Sequence, residues 1–169
     1  MNKGKLIVIE GADGAGTTSI AKMLDVEFSK KVAGRIVRTC EPSDSEIGQL
    51  IRKILRKETR LSGIGRREMV HLFMADRINH VRSIIRPQLE IGNHVICDRY
   101  YMSTLVYQSV TDDLSKSKEL MWDLYNEMLA CDGSNLEKPA FVIFLDVNGD
   151  VLSRRRCLRA EKKELFEED

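Results

Sequence analysis

The 169-residue sequence carries almost no excess charge: 27 lysines and arginines face 26 aspartates and glutamates, a formal net charge of +1. No global field therefore argues for nucleic acid or a membrane surface as partner. Its four cysteines, Cys40, Cys97, Cys131 and Cys157, are scattered with neither metal-ligand nor redox spacing, which points to reduced thiols in a cytosolic protein. The three histidines, His71, His80 and His94, form no triad and no metal spacing, and read as structural. No signal peptide is visible, and no apolar run is long enough to cross a bilayer. Internal repeats, linkers and low-complexity stretches are also missing. What remains is a chain of ordinary globular composition, long enough for one domain over residues 1–169 with a real core.

The chain is organised around residues 6–19. Leu6, Ile7, Val8 and Ile9 form an apolar run, followed by Glu10, Gly11, Ala12, Asp13, Gly14, Ala15, Gly16, Thr17, Thr18 and Ser19. A buried strand, a glycine-rich turn and a helix start are the context of a phosphate-binding loop. Glycines let the backbone wrap closely, so that successive N–H groups converge on a polyphosphate. The spacing fits: Gly11, four residues, Gly16, two residues, Thr18. One position departs, because the motif has lysine where this chain has Thr17. The competing reading is a tight strand-to-helix turn with no ligand.

Further strands are expected at 35–39, 94–97 and 141–145, with Lys5 to Ile9 as the first. Between them, Ser45 is placed to cap a helix through Leu55, and helices are expected at 102–109 and 115–130. Pro87 interrupts a long helical stretch containing Met69, Leu72 and Phe73, which predicts two helices there. Strands alternating with helices of this length predict a doubly wound α/β domain. In such folds ligands sit outside the carboxyl ends of the strands. That rule groups the Gly11 loop, Glu41, Asp98, Arg99 and Asp146 at one rim.

Three sets of residues carry chemistry in that frame. Asp98, directly after an apolar strand, is either a carboxylate for Mg²⁺ or a cap on the next helix. Phe73 and Arg77 are one helical turn apart, so they either stack on and hydrogen-bond a planar base or serve as core and solvated face. The run Arg154, Arg155, Arg156 and Arg159 is either a solvated helix face or an arginine-bearing lid over phosphates.

Together these motifs resemble the thymidylate kinase family of P-loop nucleoside-monophosphate kinases. The resemblance rests on Ile9 to Gly16, Glu41-Pro42, Leu72 to Arg77, Asp98-Arg99-Tyr100 with Ser103, Tyr107 and Gln108, and Phe144 to Val147 followed by arginines. It implies a three-layer P-loop fold, a parallel sheet flanked by helices, and transfer of the γ-phosphoryl group of ATP to dTMP with Mg²⁺. It implies that residues 11–19 (Gly11, Asp13, Gly14, Ala15, Gly16, Thr17, Thr18 and Ser19 among them) cradle the ATP phosphates, with Thr18 and Asp98 toward Mg²⁺. Asp13 would sit between metal waters and the acceptor's sugar. Phe73 would stack on thymine, and Arg77 would bond its edge. Arg99 would hold the acceptor phosphate, while Glu41, Ser103, Tyr107 and Gln108 line that pocket. Asp13, Asp98, Arg99 and the lid residues Arg155 and Arg159 are thereby the expected catalytic set. The resemblance further implies a homodimer acting on small nucleotides, and the scattered reduced thiols fit a cytoplasmic location.

Three departures accompany the resemblance. Thr17 replaces the loop lysine. Cys40 stands where the family often has arginine, with Arg38 as a candidate replacement for that phosphate contact. The family also continues with a helix, a fifth strand and an adenine-contacting loop beyond the point matching Asp169, so part of its fold is expected to be missing. A lid is expected near residues 150–165, ordered by nucleotide. Phe73 and Arg77 are expected on one wall of a cleft, facing Arg99 and Tyr107.

Overall fold

The computed structural model of the chain describes residues 3–32, 34–61, 63–110, 113–132 and 137–159. Four strands, β1 (Leu6–Gly11), β2 (Ile36–Cys40), β3 (His94–Asp98) and β4 (Phe141–Leu145), form one parallel sheet in the order β2-β3-β1-β4. The apolar run of β1 is continuous because both faces of the sheet are covered. Alternate side chains go to opposite faces. Leu6 and Val8 pack with Val81, Ile85 and Leu89 on one side. Ile7 and Ile9 pack with Ala21, Ile20 and Leu24 of α1 (Thr17–Phe28) on the other. Each such buried aliphatic side chain contributes about 1.5–3 kcal/mol relative to exposure.

The pairing brings the carboxyl ends of three strands to one rim, with Ile9 and Cys40 both in register with Asp98. It also carries β1, β2 and β3 one or two residues beyond the ends expected from composition, because hydrogen-bond partners across the sheet decide where a strand stops.

α2 (Glu46–Leu55) begins where the capping pattern placed it: the Ser45 hydroxyl accepts from the backbone N–H of Gly48 at 3.1 Å. The stretch around Pro87 differs from expectation. α3 (Arg66–His80), a π-helical segment (Val81–Ile85) and α4 (Arg86–Glu90) follow one another without a break. Proline lacks an N–H and its ring crowds the carbonyl four residues back. The wider turn just before it, in which the Arg86 N–H bonds Val81 O, accommodates both defects without ending the helical rod. α5 (Tyr101–Ser109), α6 (Leu114–Asp132) and α7 (Gly149–Arg159) complete the described elements. No helix among the described residues is long and apolar enough to cross a membrane.

Candidate active site

The loop between β1 and α1 is shaped by its glycines. A Cβ on Gly11 would lie 3.0 Å from the Ala15 Cβ and 3.2 Å from Leu145, so the loop closes on itself only with glycine there. Gly16 precedes α1 at φ +99°, in the left-handed region. No side chain among the described residues caps α1. Its first backbone N–H groups, at Thr17, Thr18 and Ser19, are orphaned at the positive end of the helix dipole, which suits an anion.

Beside this loop lies a cleft of about 280 Å³. Asp13, Gly14, Gly16, Thr17, Thr18 and Ser19 of the loop line it, together with Glu41, Phe73, Arg77, Asp98, Arg99, Ser103, Tyr107 and Gln108. Gly11 and Ala15 shape the loop without lining the cleft. Phe73 and Arg77 share the α3 wall, as their spacing predicted, and Arg99 and Tyr107 share the cleft with them. Phe73 is half-buried and also touches the cluster built on α2 and α3.

Within the cleft, the Thr18 hydroxyl donates to Asp98 Oδ2 at 2.5 Å. Asp98 Oδ1 is buried and has no hydrogen-bond partner among the described residues. An orphaned carboxylate oxygen next to a hydroxyl is a hard-oxygen donor pair. Such a pair fits Mg²⁺, which takes one or two protein oxygens and fills its remaining positions with water and phosphate. Among the described residues no group of three or more His, Cys, Asp or Glu side chains competes as a metal site.

Arg99 occupies a left-handed backbone conformation, φ +66°, costly for a side chain with a Cβ. Its backbone N–H is held by Ile9 O at 2.8 Å. Its guanidinium donates to the Tyr107 hydroxyl at 3.1 Å and lies 3.4 Å from Asp13 Oδ1. Burial by itself disfavours the charged guanidinium, but Tyr107, Asp13 and Asp98 outweigh it and hold the Arg99 pKa above its ordinary value. Glu10 ties this turn to the loop: its carboxylate accepts from Tyr100 N and Ser103 N and, at 2.6 Å, from the Ser103 hydroxyl. Burial pushes the Glu10 carboxyl up, against the pull of those hydrogen bonds and of Arg99.

Gln108 is fully buried, lines the cleft, and has neither its amide nitrogen nor its amide oxygen paired among the described residues. Arg77 is 2% exposed. Glu41 and Thr104 hold it, through hydrogen bonds of 2.8 Å from Nε to Glu41 and from Nη2 to Thr104.

One expectation is corrected here. Arg38 is not the replacement for the arginine missing at position 40, because it points away to pair with Asp25 at 3.1 Å. Asp146 directly follows Leu145, which pairs with Gly11, so it stands at the expected rim without lining the cleft. Position 40 is instead served from α2: Arg52 lines the cleft, donates to Pro42 O, and approaches Cys40 Sγ at 3.3 Å. Burial raises the Cys40 pKa, against the opposing pull of Arg52. Arg56, at the end of the same helix, is a further lining residue. Sequence reasoning missed both; their four-residue spacing just after Glu41-Pro42 was the available signal. It also missed Thr104, and it gave Tyr100 no role beyond its place in the Asp98-Arg99-Tyr100 signature. Of the arginines expected in a lid, Arg155 reaches the loop, with Nη1 3.2 Å from Gly14 O and Ala15 O. The side chains of Arg156 and Arg159, and residues 160–165 of the expected lid, lie outside the described residues.

Comparison with known proteins places this geometry. The sequence model of the thymidylate kinase family matches residues 9–169. The chain is 38% identical over 159 residues to a probable thymidylate kinase of Pyrococcus horikoshii, covering 93% of this chain and 72% of that one. It is 34% identical over 167 residues to a thymidylate kinase of Leptospira borgpetersenii, covering 99% and 75%. Against a probable thymidylate kinase of Pyrococcus abyssi it is 43% identical but spans 52% of that protein. Among solved structures it is similar to the thymidylate kinase of Candida albicans, with a TM-score of 0.69 and 25% identity over 91% of this chain and 68% of that one.

Proposed function

The chain belongs to the thymidylate kinase family, and we propose that it transfers the γ-phosphoryl group of ATP to dTMP, giving dTDP. The observation that carries this reading is a pair of orphaned, buried polar groups in one cleft. Asp98 Oδ1 stands beside the phosphate loop, and the Gln108 amide lines the same cleft as Phe73 and Arg77. An unpaired buried polar group costs about 1–3 kcal/mol. A nucleotide pair with its metal relieves both costs at once.

In the reaction an oxygen of the dTMP phosphate attacks the γ-phosphorus, and the bond from that phosphorus to the β,γ-bridging oxygen breaks. The chain's part is positioning and charge. The α1 N-terminus and the loop amides hold the donor phosphates. Arg99 faces the acceptor phosphate, its direction set by Tyr107 and Asp13, with Arg52 and Arg56 adding positive charge to the same cleft. Phe73 offers a ring face to the base. Arg77, a donor without acceptor capacity, selects a carbonyl edge, and Gln108 supplies a polar partner nearby. Thr18 and Asp98 would hold Mg²⁺, whose charge offsets that of the phosphates. Arg155 brings a guanidinium over the loop, as a lid over residues 150–165 would. Residues 1–169 act in this reading as one P-loop kinase domain, cytoplasmic and homodimeric as the family resemblance suggests.

The test is a γ-phosphate transfer assay at high protein concentration, with ATP, Mg²⁺ and a panel of monophosphates. Label in dTDP, above that in other products, supports the reading. Preference for another pyrimidine deoxynucleotide moves the substrate. Binding of dTMP and ATP with no transfer leaves a nucleotide-binding protein.

A further inference from the structure

Arg77 heads the largest fully buried side chains among the described residues. Its guanidinium is always charged, so burial demands a fixed partner. Glu41 is that partner, with Arg77 Nε at 2.8 Å and Nη2 at 2.6 Å, and both contacts fall on one oxygen, Oε2. Two contacts on a single oxygen make a pivot. The last torsion of a glutamate is broad and soft, so they leave the carboxylate plane unfixed. The second oxygen, Oε1, faces His80 Nδ1 at 3.2 Å, and His80 Nε2 lies 2.7 Å from the Thr39 hydroxyl. A carboxylate only accepts, so Nδ1 carries the proton donated to Glu41, and the other ring nitrogen shares the outer hydrogen bond with the Thr39 hydroxyl.

The four residues come as two pairs. Thr39 and Glu41, two apart along β2 and its extension, project to one side of the strand. Arg77 and His80, three apart on α3, share a helix face, and the π-helical segment starts directly after His80. His80 is 2% exposed, and neither it nor Thr39 lines the cleft.

We propose that His80, set by Thr39, is a positioning residue that fixes through Glu41 the angle at which Arg77 meets the acceptor base. The proposal rests on the reading of Arg77 as a base contact.

The test is calorimetric titration of the full chain with dTMP and, separately, with ATP, for four variants. His80→Ala is expected to weaken dTMP about tenfold, the size of one hydrogen bond to a charged group, with ATP affinity unchanged. His80→Asn, whose amide N–H can stand where Nδ1–H stood, recovers most of that loss. Thr39→Val removes the outer hydroxyl at constant shape and weakens dTMP in the same direction by a smaller factor. It decides the matter if His80→Ala does not fold. Equal loss of dTMP and ATP without recovery by asparagine overturns the proposal, as does unchanged dTMP affinity in Thr39→Val and His80→Ala. Arg77→Met separates the two readings: if it leaves dTMP affinity unchanged, the base-contact reading itself falls. If it weakens dTMP while the His80 and Thr39 variants do nothing, the positioning role alone is wrong.

Discussion

Arg155 on α7 donates from Nη1 to the carbonyl oxygen of Gly14 at 3.2 Å, and the same nitrogen stands 4.0 Å from where a Cβ on Gly16 would lie. A guanidinium thus rests on the phosphate loop next to Thr17, which occupies the lysine position and is itself buried.

This contact bears on the rate. A loop lysine puts a full charge against the β- and γ-phosphates, and that charge gains value as the transition state forms. Threonine offers a neutral hydroxyl. Backbone amides remain, so ATP binding is expected to survive while turnover is weak. Thr17→Lys should raise kcat by about 10²–10³, the usual worth of one preorganised donor. Arg155→Ala should cost more in the native background than beside Thr17→Lys, because the two cations serve the same charge and neighbours couple. Steady-state kinetics of the four proteins in the cycle provide the check. Turnover of about 1–100 s⁻¹ in the native chain, unchanged by the lysine, would show that another group does this work.

Phe73→Ala should weaken dTMP binding by about 1–3 kcal/mol, the scale of base–aromatic stacking, with little change for ATP. Phe73 shares the α3 wall with Arg77 but also touches the α2–α3 cluster, so a modest fall in Tm accompanies the loss. Titration of both nucleotides distinguishes the roles: a drop in stability with dTMP affinity intact would make Phe73 a core residue.

Glu10 makes stability depend on pH. Burial raises its carboxyl pKa in the folded chain above the ordinary glutamate value. The folded state therefore binds the proton more tightly than the unfolded one. The group's contribution is most favourable below the ordinary pKa and is lost as pH rises through the raised one. Glu10→Gln removes that dependence. The Tm difference, variant minus native, should become more positive between about pH 4 and pH 7. A flat or falling difference would contradict the burial cause. The same variant leaves one fewer acceptor for Tyr100 and Ser103, so KM for dTMP should rise through displacement of Arg99.

Much of the rim is legible in the sequence. Gly16 is required by a positive φ and Gly11 by the close approach of Ala15, both local properties of the chain (Leu145 adds a second, distant neighbour to Gly11), and Ser45 caps α2 for an equally local reason. The helix at Pro87 was not readable in the same way. Whether proline ends a helix or is absorbed by a wide turn depends on what packs along the rod, and here Val81, Ile85 and Leu89 lie against β1 and β3.

Local chemistry also ran out where charges are shared between distant segments. By type alone, Arg38, Arg52 and Arg77 are three similar side chains. The sheet register and the docking of α2 and α3 make the first a surface partner of Asp25, the second a lining group beside Cys40, and the third a buried cation held by Glu41. His80 read as merely structural because its partners, Glu41 and Thr39, lie about forty residues away on β2 and its extension. The sequence by itself determined the order of strands and helices, the loop and its missing lysine, because those follow from periodicity and from backbone geometry within a few residues. Only the tertiary structure decided the strand order β2-β3-β1-β4, which arginines face the cleft, and which polar atoms are left buried and unpaired, because burial is a property of what arrives from elsewhere in the chain.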